Sequence, residues 1–86
     1  MKKFALSNGI IYYEVSAKET YLLGGCGVCD SCGVVHKKGY LIPVLNSWYC
    51  TNCFTEFKET SMYYPEDAPI ERKRAEYYES IITLEK

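Results

Sequence analysis

Four of the five cysteines in this sequence of 86 residues form two pairs of one pattern, Cys29-Asp30-Ser31-Cys32 and Cys50-Thr51-Asn52-Cys53. Two thiols in a C-x-x-C turn can reach a single ion, and the seventeen residues from 33 to 49 that separate the pairs lie within the spacer of roughly 15–20 residues that reads as a zinc site. Structural zinc is tetrahedral and takes thiolates at ~2.3 Å, so the two pairs must be brought together from separate stretches of chain. Gly33, directly after Cys32, fits a knuckle whose backbone N–H groups turn toward the sulfurs and whose last residue tolerates positive φ. The expected ligand set for one Zn²⁺ is therefore Cys29, Cys32, Cys50 and Cys53.

Other chemistry competes for the same residues. Cys26-Gly27-Val28-Cys29 is a second C-x-x-C register sharing Cys29, which makes Cys26 an alternative ligand; the glycine after Cys32 favours the Cys29/Cys32 register. His36 is a spare ligand in a Val-rich stretch, where a lone histidine more often sits at a turn or on the surface. A tetrahedral set of four sulfurs suits iron as well as zinc, although the chain offers no electron-transfer context. A redox C-x-x-C of the thioredoxin kind needs a βαβ setting, which is lacking. The odd cysteine count and close spacing fit metal ligation better than a secreted disulfide framework. Met1 to Leu6 breaks at once to Ser7-Asn8-Gly9, without the apolar stretch of a signal peptide, and no run approaches the ~20 apolar residues of a membrane span. A reducing cytoplasmic location is the expectation.

The elements that must position the thiols can be read from periodicity. Phe4 to Val15 is rich in β-branched and aromatic residues around Asn8-Gly9, which predicts an N-terminal hairpin whose two turn residues both take positive φ. Ile11, Tyr13, Val15 and Ala17 then share one face, with Tyr12 and Glu14 on the other. A further short strand is expected over Thr20-Tyr21-Leu22-Leu23, and Gly24-Gly25-Cys26-Gly27 breaks regular structure. Between the cysteine pairs, Val34-Val35 and Tyr40-Leu41-Ile42 flank Lys37-Lys38-Gly39 as a second hairpin, and Pro43 marks a strand edge or end. Phe54 to Lys58 continues from the last cysteine as a short helix or a strand. Asp67 and Pro69 open a C-terminal helix running to about Leu84. On it Ile70, Ala75, Tyr77, Tyr78, Ile81, Ile82 and Leu84 fall on one broad arc, opposite Arg72, Glu76, Glu79, Ser80 and Thr83. That arc must be covered, by the N-terminal sheet or else by a partner or a second copy.

The result is an α+β chain forming one small zinc-binding domain over residues 1–86. Its parts are a β-hairpin region at 1–24, the zinc site at 26–58 and an amphipathic α-helix at 67–85. A core this small supplies only ~3–5 kcal/mol, so a staple such as a metal is expected.

Charge and composition narrow the function. Net charge is −1, and residues 54–86 carry eight acids against five bases. No cationic field of the kind that attaches proteins to nucleic acid is present. Arg72-Lys73-Arg74 is the only basic cluster, and on a helix its members point in different directions. Nine tyrosines exceed ordinary usage; excess Tyr serves half-buried positions or an interface.

The knuckle Cys29-Asp30-Ser31-Cys32-Gly33, a hairpin, and then Trp48-Tyr49-Cys50-Thr51-Asn52-Cys53-Phe54 together resemble the treble-clef zinc fingers. The resemblance covers about Val28 to Lys58 and implies that the second pair sits at the start of a helix. A zinc ribbon, with that pair on another hairpin, has the same ligand pattern. The spacer is also that of GATA-type fingers. Those fingers carry Thr-x-x-Trp-Arg-Arg in the spacer and a basic tail, whereas this spacer has only Lys37 and Lys38 and the chain beyond Cys53 turns acidic.

Three function classes follow. The favoured one is a structural-zinc, protein–protein interaction module or regulator, with Tyr77, Tyr78 and the acidic C-terminal helix as recognition surface. Accessory proteins of phages and mobile elements, including inhibitors of host defence nucleases, often have this form. The alternative is a zinc finger that binds nucleic acid, weakly on these charges. An enzyme is disfavoured, because a closed four-cysteine site leaves no position for water.

Overall fold

The computed structural model describes residues 1–84. Four strands, β1 (Lys2–Ala5), β2 (Ile11–Ser16), β3 (Lys38–Ile42) and β4 (Ser47–Tyr49), form one antiparallel sheet in the order β1-β2-β3-β4. Three helices join it: α1 (Ala17–Thr20), α2 (Thr51–Thr60) and α3 (Ala68–Ile81). The architecture is α+β, as expected.

The alternation of side chains along the strands sends two sets of residues to opposite faces. Tyr13 and Val15 of β2, Leu41 of β3 and Trp48 of β4 meet Ala75, Tyr78 and Ile82 at the C-terminal end of the chain, with Met1 completing the cluster. On the other face Ile42, with Ile10 beside it, meets Phe54 of α2, and Tyr12, Tyr40 and Tyr49 pack around them. The sheet is thus covered by α3 on one side and α2 on the other.

Several local expectations are corrected. The first turn is a three-residue loop rather than a two-residue one: Gly9 N–H donates to Leu6 O at 2.9 Å, Gly9 takes φ 98°, and Asn8 does not have positive φ. A type I turn closed by a left-handed glycine matches strand twist as well as the Asn-Gly alternative does. The segment expected as a strand at Thr20–Leu23 is helical. Ser16 and Glu19 form a reciprocal capping box that starts α1, and Tyr21–Leu23 follows as a 3-10 turn.

The return hairpin is also shifted. Val35 only bridges Val28, and β3 turns back through Pro43 to Asn46 into β4, with Leu45 N–H on Ile42 O and Asn46 N–H on Pro43 O, both at 3.1 Å. Gly39 lies inside β3, where a Cβ would run into the Tyr49 carbonyl and the Trp48 ring. It allows close packing and makes no turn.

Finally, α3 ends at Ile81, Ile82 is extended, and Asp67 makes no side-chain cap. The expected helical residue Glu85 lies outside the described residues. The buried stripe of α3 is narrower than its apolar arc, because Ile70, Tyr77 and Ile81 are exposed while Glu71 is buried. Glu71 is kept inside by accepting the Ile11 N–H at 3.1 Å, which satisfies a carboxylate that burial would otherwise penalise.

Candidate metal centre

The first cysteine pair sits on a tight loop closed at both ends by backbone bonds. Cys29 N–H donates to Val34 O at 3.0 Å, His36 N–H to Gly27 O at 3.1 Å, and Gly33 N–H to Cys29 O at 2.9 Å. Gly33 takes φ 72°, the left-handed conformation that lets the loop fold back under the sulfurs. The second pair stands at a helix start. Cys50 is the N-cap of α2 with extended backbone, its carbonyl accepts the Phe54 N–H at 2.9 Å, and Cys53 lies in the first turn.

Two contacts lock the pairs together. Asp30 N–H donates to Trp48 O at 2.9 Å while Asp30 Oδ2 accepts the Trp48 N–H at 2.7 Å. Cys50 N–H donates to Cys29 Sγ at 3.3 Å. Trp48 is held in turn by its indole N–H on the Val15 carbonyl, at 3.0 Å, so the knuckle is fixed to the α3-side core. The Phe54 ring stacks on Tyr40 with centroids 4.4 Å apart and touches Tyr12 at 4.7 Å, which fixes the first turn of α2 against the other face.

The sulfurs of Cys29, Cys32, Cys50 and Cys53 all lie within 4.8 Å of one another. Cys32 Sγ and Cys50 Sγ are 3.9 Å apart, close to the ~3.8 Å edge of a tetrahedron with ~2.3 Å metal–sulfur arms. Cys29 and Cys50 are buried, Cys53 is half-buried and Cys32 is exposed; none is in a disulfide. Burial pushes the Cys29 thiol up, but the N–H groups of Cys32, Cys50 and Ser31 outweigh it and bring it down to about 6. Cys53 behaves oppositely. Ser31 pulls it down, yet burial and the neighbouring thiols Cys50, Cys29 and Cys32 push it to about 12. Four thiols this close cannot all ionise without a cation among them, so the donor set fits a metal ion. The Tyr49 phenol is raised as well, first by burial and then by the charge of Cys29, Asp30 and Cys53, which marks this corner as electronegative.

The four cysteines named from the sequence are thus brought together and positioned to bind a metal ion, with the second pair at a helix start and not on a hairpin. Cys26 is exposed and outside the group. His36 also stands outside it, with Nε2 4.0 Å from Cys32 Sγ. The expected recognition pair is split: Tyr77 is 54% exposed, but Tyr78 is only 2% exposed. Tyr78 packs edge-on to Tyr13 and donates its hydroxyl to Asn46 Oδ1, so it belongs to the core. Its ring is drawn inward because the i, i+4, i+7 stripe from Glu71 passes through Ala75 and Tyr78, not Tyr77. Sequence reasoning missed Asp30 as the clip on Trp48. Its place inside a C-x-x-C turn was legible, but its partner was not.

Comparison of the chain with protein-family models, curated proteins and solved structures finds no match. Among the described residues no helix is long and apolar enough to cross a membrane.

Proposed function

We propose that Cys29, Cys32, Cys50 and Cys53 hold one structural zinc ion in a treble-clef arrangement, and that the protein is a cytoplasmic interaction module without catalytic activity. The observation that supports this reading is the convergence of four sulfurs within 4.8 Å from a glycine-closed knuckle and a helix start. Four protein thiolates complete a tetrahedron, leaving no coordination position at which water could be activated. Zinc suits the site because it needs only tetrahedral sulfur and no redox partner.

Protein binding is favoured over nucleic acid because the bases are dispersed and partly engaged. Arg74, the last of the basic cluster, spends its guanidinium on the Pro43 and Val44 carbonyls at 3.1 and 3.0 Å. The acidic stretch from 54 to 86 fits a module that occupies a basic host factor such as a defence nuclease, as an accessory protein of a phage or mobile element would. Elemental analysis of protein purified without added metal tests the site, with one zinc per chain expected and iron or no metal overturning it. Titration with labelled duplex and single strands at ~150 mM salt tests the partner class: sub-micromolar binding there would favour the finger reading.

A further inference from the structure

Beside the thiol cluster, two contiguous hollows of about 400 and 380 Å³ share Thr20, Gly24, Gly25, Asp30 and Trp48 in their walls. The larger extends to Tyr77 on α3 and the smaller passes Cys26. Among the described residues Asp30 is the only charged side chain lining either hollow. Its Oδ2 is committed to the Trp48 N–H, but Asp30 itself is exposed. The apolar part of the larger wall is Leu23, Leu41 and the Trp48 ring.

We propose that this groove is a docking site for an arginine side chain presented by an extended segment of a partner protein. A guanidinium can donate to the remaining oxygen of a carboxylate and lay its plane on an aromatic face at once, whereas a lysine ammonium has no planar face to stack. Asp30 supplies the carboxylate, Tyr77 an exposed ring, and the apolar wall accommodates the methylene stem. Charge complementarity selects a cation. The inference rests on the zinc-module reading for one further contribution: four thiolates around a divalent ion keep a net negative charge beside Asp30.

The test uses the full zinc-loaded chain and three capped Gly/Ser peptides, each with one central residue, arginine, lysine or citrulline. Amide shifts of Gly24 and Gly25 and the Trp48 indole N–H are followed by NMR, with zinc content measured on the same samples. The arginine peptide is expected to move these signals, with lysine binding about fivefold weaker and neutral citrulline at least about tenfold weaker. Asp30→Asn keeps a side-chain acceptor for the Trp48 N–H and removes the charge together with the second acceptor oxygen; it should weaken arginine binding by about tenfold. Tyr77→Ala, at an exposed position, should weaken it about fivefold.

Equal binding of citrulline, indifference to both variants, or no shift in protein carrying one zinc would overturn the groove while leaving the zinc module standing. Asp30-dependent shifts in protein found to lack zinc would support the groove and sink the module reading.

Discussion

The two faces of the sheet solve the same problem by different means. On the α3 side eight buried residues form a cluster, tied further by polar contacts. Met1 donates its α-amino group to Glu19 Oε2 at 2.8 Å and to Thr83 O at 3.0 Å, and Glu79 accepts from Tyr13 at 2.6 Å and from Lys3 at 2.9 Å. On the α2 side only Ile10, Ile42 and Phe54 form the buried cluster, and α2 has ten residues. A helix of that length is marginal by itself, below the ~12–15 residues that water tolerates. The α2 side therefore depends on the thiol cluster for cohesion, whereas the α3 side is held by burial. The thiol cluster thus stands beside the face with the smaller buried cluster.

The largest expected effect is that of Cys50→Ser. Structural zinc contributes roughly 10–16 kcal/mol of apparent binding free energy in finger peptides, against ~3–5 kcal/mol from a core of this size. Loss of the ion should abolish exchange protection in α2 and both cysteine turns, while β1, β2 and α3 retain part of theirs. Hydrogen exchange read residue by residue checks this; simultaneous loss everywhere would mean that the two faces are one cooperative unit.

Phe54→Ala should come next, at about 3–5 kcal/mol by denaturant unfolding. Because Phe54 directly follows Cys53, zinc affinity should fall with stability. A variant as unstable as expected but with unchanged zinc affinity would separate the aromatic stack from the site.

Acid distinguishes the faces at smaller amplitude. Glu19 is pushed up by burial, but the N-terminal ammonium and Ser16 overcome this and hold it below its ordinary 4.5; Glu79 is lowered by the bonds from Tyr13 and Lys3. A lowered folded-state value means that stability is fully present above pH 4.5 and is lost as pH falls through the folded value. Glu19→Gln and Glu79→Gln together should flatten the pH dependence of stability below 4.5, seen in thermal melts, without changing zinc content at neutral pH.

The smallest effect belongs to Cys26→Ser, which should stay within about 0.5 kcal/mol and keep one zinc. Zinc loss on this change, with retention in Cys32→Ser, would reverse the ligand register.

The legible parts of the sequence were those fixed by local spacing. The thiol set followed from two x-x intervals and one spacer, Gly33 from the turn it closes, and the faces of β2 from strict alternation. What escaped depends on partners distant in the chain. Gly39 looked like a turn residue until Trp48 and Tyr49 closed over it, and the apolar arc of α3 overstated its contact because one sheet covers only the stripe through Glu71, Ala75, Tyr78 and Ile82. The missed α1 was a local error: Ser16-Ala17-Lys18-Glu19 carries a capping-box pattern that β-propensity at Tyr21 to Leu23 obscured.

The paired bonds between Asp30 and Trp48 also bear on solubility. In the β3–β4 ladder Leu41 faces Trp48, and the backbone N–H and C=O of Trp48 are taken by Asp30, so the knuckle occupies the outer rim of the sheet. The opposite rim, β1, carries Lys2 and Lys3, charges that repel a foreign strand. Demetallation that frees the knuckle would uncover the uncharged Ser47-Trp48-Tyr49 rim, a template for intermolecular pairing. Chelation should therefore cause concentration-dependent aggregation as well as loosening α2.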